Sequence, residues 1–308
     1  MPQLSFVTLD VFTRTRFAGN PLAVVLIPAD RQDVPTEALQ TVAREFNLSE
    51  TVFLYLNDEA ANQDVPEWRV RIFMTEAELP FAGHPTIGTA CYALGTLAKG
   101  KSTGRLVCNA GPIELDYEGG VARAAIPHNV HIHKETPFTT PDVQALQPNL
   151  RGTTLQSIDV ASPVKGMNFV YVELPDLERL ALVETSGFKP QPKLDREWDV
   201  GFVGSVFYVL GDRSEASDGA VQQSLRMRMI EGTLEDPATG SAACGLGALL
   251  ALKKGERRVR YEMMQGVEMG RQSDIGVAVE LKEDIEAVRR IELSGSSVQV
   301  MEGTVAYD

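Results

Sequence analysis

Glu235-Asp236-Pro237-Ala238-Thr239-Gly240-Ser241-Ala242-Ala243, with the uncharged run that follows it to Leu252, decides the fold of this chain. Asp236 is a favoured helix N-cap, and Pro237 suits the first helical position, where a missing N–H costs nothing. From Ala238 to Leu252 there is no charged residue, and Gly240, Ser241, Gly245 and Gly247 add little bulk. A helix that is apolar or small on every side has no solvent face, so it belongs in an enclosure. The run is shorter than the roughly 20 residues of a membrane span, and Lys253-Lys254 stop it abruptly. It reads as a helix wrapped by a curved sheet, with its N-terminus open onto something.

The stretch has a twin. At an offset of 152, His84-Pro85-Thr86-Ile87-Gly88-Thr89-Ala90 falls on Asp236-Pro237-Ala238-Thr239-Gly240-Ser241-Ala242, and Leu94-Gly95 falls on Leu246-Gly247. Thr86 to Ala98 is again uncharged before Lys99. Twice that offset is nearly the full 308 residues, so the chain reads as two halves of one plan. The expected fold class is α+β: two pseudo-equivalent domains, each a curled mixed β-sheet around a central buried helix. Residues 1–125 form the first and 126–296 the second, with 297–308 returning to complete the first.

Composition bounds the partners. Hydrophobic residues make up 44% and charged residues 23%, ordinary for a globular chain. The net charge of −13 argues against nucleic acid and anionic membrane, which repel an acidic surface, but not against a small anion held locally. Cys91, Cys108 and Cys244 are an odd, unclustered set, as expected of free thiols in a reducing compartment. Met1 to Phe12 has no basic n-region or long apolar core, so a cytoplasmic location is expected.

Alternating or apolar runs predict strands at Leu4–Phe12, Leu22–Ile27, Thr51–Leu56, Trp68–Met74, Arg105–Cys108, Ile113–Tyr117 and Val121–Ile126 in the first half. Pro35-Thr36 opens a helix over Glu37–Phe46. Pro127–Pro141 reads as a linker. In the second half strands are expected at Met167–Glu173, Val203–Leu210, Leu225–Ile230, Arg258–Met264, Gly276–Leu281, Val288–Leu293 and Val298–Val305. A short helix is expected at Leu177–Val183.

Two enclosed helices with small-residue first turns make anion sites, because backbone N–H groups near Thr86–Gly88 and Thr239–Ser241 suit a carboxylate or enolate-like oxygen. Gly83, Pro85, Thr86, Thr239 and Gly240 are the candidate substrate-binding residues at those mouths. Gly88 and Gly240 each cost about 0.5–1 kcal/mol inside a helix; either a ligand or a packed neighbour accounts for them. Asp236 is explained by capping alone. His84 is not a preferred cap, and a helix N-terminus disfavours its cationic form. A His and an Asp at matching positions read as a divided acid/base pair in a cleft between the halves. Glu50, between a helix end and Val52-Phe53-Leu54, is either a surface carboxylate or, if buried, a base near neutrality. His128, His131 and His133 lack a convincing metal-ligand pattern and read as linker. No phosphate or dinucleotide fingerprint occurs, so no cofactor and no metal are expected.

Asn47-Leu48-Ser49-Glu50-Thr51, Phe81-Ala82-Gly83-His84-Pro85-Thr86, Asp236-Pro237-Ala238-Thr239-Gly240-Ser241-Ala242 and Gln265-Gly266-Val267-Glu268-Met269-Gly270-Arg271 resemble the PhzF-like, or phenazine-biosynthesis-like, family. Asp10-Val11-Phe12 and Gly19-Asn20-Pro21 fit too, so the resemblance spans almost the whole chain. It implies the diaminopimelate-epimerase-like fold and a cofactor-independent isomerase, commonly a homodimer, working by proton transfer on a small carboxylate. By matching motif, Glu50 is the main acid/base, supported by His84, Asp236 and Ser241. Related epimerases place two cysteines at the helix mouths, where this chain has His84 and Asp236. Three functions remain open at this point: a double-bond shift on a small hydroxy- or amino-substituted carboxylate, an epimerase or racemase, and a non-catalytic small-molecule-binding protein.

Overall fold

The computed structural model describes residues 2–57, 59–134 and 138–307. Positions 135–137 of the expected linker and the terminal residues of the expected domains lie outside them. The chain divides into two compact units, Met1–Ile126 with Leu293–Asp308, and Pro127–Glu292.

In the first unit, strand Gln3–Val11 runs antiparallel to Asn20–Ile27. Helix α1 (Thr36–Phe46) then carries the chain to Thr51–Tyr55, parallel to Asn20–Ile27. Glu67–Phe73 follows antiparallel and pairs with the short Glu78–Leu79. Helix α2 (Gly83–Tyr92) comes next, and after it Thr103–Cys108 lies parallel to Glu67–Phe73. Gly111–Glu118 and Val121–Ala125 continue antiparallel. The last strand, Val288–Ala306, pairs with both Val121–Ala125 and Gln3–Val11, so the sheet closes on itself. α2 touches strands Gln3–Val11, Asn20–Ile27, Thr51–Tyr55, Gly111–Glu118 and Val121–Ala125, and every residue from His84 to Cys91 is buried. Thr51–Tyr55 is buried at every position because α1 covers its outer face, packing Leu39, Val42 and Ala43 against Phe53, Tyr55 and Phe73.

The second unit repeats these pairings in order. Ser157–Val164 and Met167–Glu173 are antiparallel, and Phe202–Glu215 is parallel to Met167–Glu173. Helices α3 (Thr140–Leu146) and α4 (Leu177–Ala181) precede it, the second within the parallel crossover. Val221–Glu231 pairs with the short Leu234–Asp236, and helix α5 (Gly240–Lys254) leads to Arg258–Gln265, parallel to Val221–Glu231, then Ser273–Leu281. α5 is buried from Ala242 to Ala251 and touches Ser157–Val164, Met167–Glu173, Arg258–Gln265 and Ser273–Leu281. The uncharged sequence of both helices thus has its physical cause. No helix among the described residues is long and apolar enough to cross a membrane.

Three expectations need correction. Helix α5 begins at Gly240, so its N-cap is Thr239 and not Asp236. Val288–Leu293 and Val298–Val305 are one strand: Ser294-Gly295-Ser296-Ser297 is not a turn, and a Cβ on Gly295 would lie 2.3 Å from the Phe12 ring, so the glycine serves packing. The stretch from Pro127 is not a free linker, since His131–Ile132 forms a strand with Ala161 and Ser162, and His133 is buried.

Candidate active site

Glu50 owes its place to the way α1 ends. Asn47 takes the left-handed conformation at the C-cap, φ 51°, and its N–H returns to Ala43 O. The chain reverses there and enters Thr51–Tyr55, carrying Glu50 to the strand entrance. His84, in the first turn of α2, places Nδ1 3.2 Å from Glu50 Oε2. The His84 side chain is 5% exposed and Glu50 is 18% exposed. Burial raises the Glu50 pKa above its ordinary value, and a hydrogen bond from Ser49 pulls part of that back. Thr86 turns its hydroxyl inward to Ala82 O at 2.7 Å. It therefore helps build the helix mouth, and α2 has no side-chain cap on its first-turn amides.

The second mouth is built around Gln265, which is 1% exposed. Its Oε1 accepts from Thr239 N at 3.0 Å, and its Nε2 donates to Asp236 O at 2.7 Å and to Thr239 Oγ1 at 3.1 Å. The Thr239 hydroxyl donates in turn to Asp236 Oδ2 at 2.6 Å, and Ala238 N donates to Oδ1 at 3.3 Å. These bonds hold the loop Asp236–Thr239 in an Asx-type turn and stop the helix from starting earlier. Asp236 is thus an organiser of the approach to α5, not its cap. Gly266, at φ 73°, lets the chain pass close to Pro237: a Cβ there would lie 2.7 Å from Pro237 O and 2.5 Å from Arg271 O. Gly240 follows at the first helical position and Ser241 is half-buried beside it, with no side-chain cap on the helix. The motif Gln265–Arg271 acts here by holding the mouth. Gln265 itself was legible only as part of a resemblance, because a buried Gln has no spacing signature.

The two mouths are equivalent in a different register from the one the sequence comparison used. α2 and α5 begin at Gly83 and Gly240, an offset of 157. A hairpin ahead of each helix carries the same forked ion pair at that offset. Arg71 binds Glu78 through Nε at 2.8 Å and Nη2 at 2.6 Å, and Arg228 binds Glu235 at 2.7 and 2.8 Å. Gly88 and Gly245, again 157 apart, each face the antiparallel strand pair that opens the repeated order of pairings: a Cβ on Gly88 would strike Val11 and Leu22, and one on Gly245 would strike Tyr171 and Pro163. The positional counterpart of His84 is therefore Ser241, and Asp236 has none. Pro, Gly and Ala misled the comparison, because any crowded helix start favours them. Gly88 is a packing glycine.

The remaining candidates separate cleanly. Cys91, Cys108 and Cys244 are free and buried. Burial pushes the Cys244 thiol up to about 12 and raises the other two, so none is a thiolate near neutrality. His131, His133 and Asp195 bring possible ligand atoms within 4.8 Å of one another. Both His133 nitrogens are already engaged, by Ser162 Oγ at 2.9 Å and Asp195 N at 3.1 Å, and His131 Nε2 is bonded to Asp195 Oδ2 at 2.7 Å. A metal would have to break that set.

Residues 9–303 match the family model described as phenazine biosynthesis-like protein. An uncharacterized isomerase of Mesorhizobium japonicum is 33% identical over 98% of this chain and 99% of its own. The trans-2,3-dihydro-3-hydroxyanthranilate isomerase of Pseudomonas chlororaphis is 30% identical over 97% of this chain and 98% of its own. Among solved structures, a PhzF-family protein of Bacillus anthracis superposes with a TM-score of 0.72 at 21% identity, covering 99% and 100% of the two chains. A hydroxyproline epimerase of Agrobacterium vitis gives 0.53 at 12% identity, covering 99% and 91%, which places the fold among the epimerase-like ones. The chain is an isomerase that belongs to the phenazine biosynthesis-like, PhzC–PhzF family.

Proposed function

We propose that the chain shifts a double bond in a small carboxylate bearing a hydroxyl or amino group, by moving one proton between carbons without a cofactor. The observation that carries this reading is Glu50, buried against His84 at the mouth of α2 with its pKa raised. A carboxylate whose charged form is disfavoured by burial is a stronger base than an ordinary one, and the same group can return the proton it removes from carbon. His84 holds that carboxylate in one orientation through Nδ1. The first turn of α2, with Gly83, Pro85 and Thr86, carries no side-chain cap and suits a substrate carboxylate; Thr239 and Gly240 form a second uncapped helix start, that of α5. Asp236 and Ser241 are the polar groups at the start of α5, of a kind that suits a hydroxyl or amino group. Glu50 and His84 form one centre, and the buried thiols supply no opposed second base. Removal and return on one face therefore fits better than inversion.

The relative from Pseudomonas chlororaphis is named for an isomerase of a hydroxy- and amino-bearing cyclic acid, trans-2,3-dihydro-3-hydroxyanthranilate, which gives the substrate class its first probe. The test is incubation in D₂O with that compound and with a panel of small hydroxy and amino acids, followed by NMR. A bond shift with one deuterium incorporated at the receiving carbon supports the reading. Deuterium at a stereocentre with inversion and no bond shift would identify an epimerase instead. Saturable binding with no exchange would identify a binding protein.

A further inference from the structure

We infer that His133 is a pH-sensitive latch on the backbone of Asp195, in the loop between α4 and strand Phe202–Glu215, and that protonating its imidazole frees that backbone. The direction of every hydrogen bond around it is fixed. Asp195 N can only donate, so Nδ1 of His133, 3.1 Å away, must be the unprotonated acceptor. The ring proton then sits on Nε2 and is donated to Ser162 Oγ at 2.9 Å. The Ser162 hydroxyl donates in turn to Asn168 Oδ1 at 2.6 Å. Asn168 Nδ2 donates to Val200 O and Phe202 O, both at 2.9 Å. The chain therefore starts and ends on the backbone of one loop and crosses two strands between.

A cationic His133 carries a proton on both nitrogens, so Nδ1–H would face Asp195 N–H and the first bond would be lost. No rotation of the ring restores it, because an imidazolium has no acceptor. The charged groups facing His133 are His131, from its own segment, and Asp195, from the loop. Strands Ser157–Val164 and Met167–Glu173 present only the uncharged Ser162 and Asn168. Burial lowers the His133 pKa most, His131 lowers it further, and Asp195 opposes both. His131 is no second latch, since its 2.7 Å bond to Asp195 survives in either charge state. The segment held is long and has one 3-10 turn, Arg196–Trp198, whose Trp198 ring stacks on His131 at 4.5 Å. Phe188 and Val200 in it are exposed. Protonation removes the one bond from Asp195 N: Lys134 N and His131 still hold the Asp195 carboxylate and Leu194 stays packed in the core, so the opening is local to the Asp195 backbone.

The sign follows from linkage. The closed loop disfavours the proton and the open loop binds it at the ordinary imidazole value of about 6.5, so acid favours opening. Amide exchange of Asp195, corrected for its intrinsic pH dependence, reads the opening. Its protection is expected to fall between about pH 7.5 and about pH 5.5 in the wild type, by up to about tenfold. His133→Gln keeps one acceptor and one donor but does not titrate, so its protection should stay level over that range. An unchanged wild-type profile, or the same fall in His133→Gln, overturns the proposal. Imidazole ¹⁵N NMR of the wild type provides an independent check should His133→Gln fold poorly. A neutral Nε2–H ring in the closed state is required, and a cationic ring with Asp195 still protected refutes the latch.

Discussion

At the residue scale the proposed mechanism rests on a carboxylate kept where water would normally claim it. Glu50→Gln preserves size and polarity but cannot accept a proton, so turnover should fall about 10²–10⁴-fold while substrate affinity changes little. Denaturant midpoints should rise or stay level at neutral pH. Burial raises the folded pKa of Glu50, so its ionised form disfavours folding above the ordinary value of 4.5, and the amide relieves that cost. Unchanged turnover in a folded Glu50→Gln protein would shift the proposed role to His84. For the same reason the rate should rise with pH through an ionisation above 4.5, which a pH–rate profile measures. At the other mouth, Gln265→Met keeps the volume and removes three hydrogen bonds, leaving Thr239 N without its acceptor. We expect a loss of about 1–3 kcal/mol in stability, with weaker substrate binding out of proportion to that loss. A variant that is destabilised but binds normally would make Gln265 a folding residue only.

At the scale of elements, much was legible in the sequence. The absence of charge from Thr86 to Ala98 and from Ala238 to Leu252 required burial, and α2 and α5 are enclosed. His84 stood out as an uncommon cap and Glu50 as a carboxylate beside an apolar strand, whereas Asp236 read as an ordinary cap. Helix boundaries and register were not legible, because tertiary bonds set them: α5 starts only after Gln265 and Asp236 have held Thr239 in the turn before it. The π-helical turn Ala93–Leu97 that ends the first enclosed helix is likewise unsignalled, as the sequence there continues as an ordinary small apolar run. Nor did Gly245 declare its purpose. A Cβ on it would lie 2.2 Å from Tyr171 Oη, which donates to Ala242 O at 3.2 Å. Gly245→Ala improves helix propensity yet should destabilise by about 1–3 kcal/mol, since the buried tyrosine must shift and its hydroxyl lose its acceptor. A higher melting temperature for Gly245→Ala would show that Tyr171 gives way freely.

At the scale of the whole molecule, a repeated plan has been kept where geometry demands it and changed at the helix mouths. Both units retain the hairpin with its Arg–Glu fork, Arg71–Glu78 and Arg228–Glu235, although neither pair was singled out by its sequence. The mouths that follow differ: His84 stands against Ser241, and five more residues separate the fork from the shared His-Pro or Asp-Pro signature in the first unit. The fork fixes the hairpin entering each helix, so it should matter to folding more than to turnover. Its titration gives a separate test. Arg71 lowers the Glu78 pKa below 4.5, chiefly by hydrogen bonding and then by charge, against the opposing pull of burial. Glu78 is therefore deprotonated more readily in the folded chain than in the unfolded one, and its contribution is complete above 4.5 and lost as pH falls through the lowered value. Glu78→Gln removes that dependence and one partner of a forked, largely buried pair. At neutral pH it should lower stability by about 1–3 kcal/mol, with the gap to wild type narrowing in acid. Urea midpoints measured from about pH 7 down to about pH 3 follow the gap directly. A gap that stays constant over that range would mean that Glu78 is equally ionised in both states, and the Arg71 fork would then hold the hairpin by shape without storing charge-dependent stability.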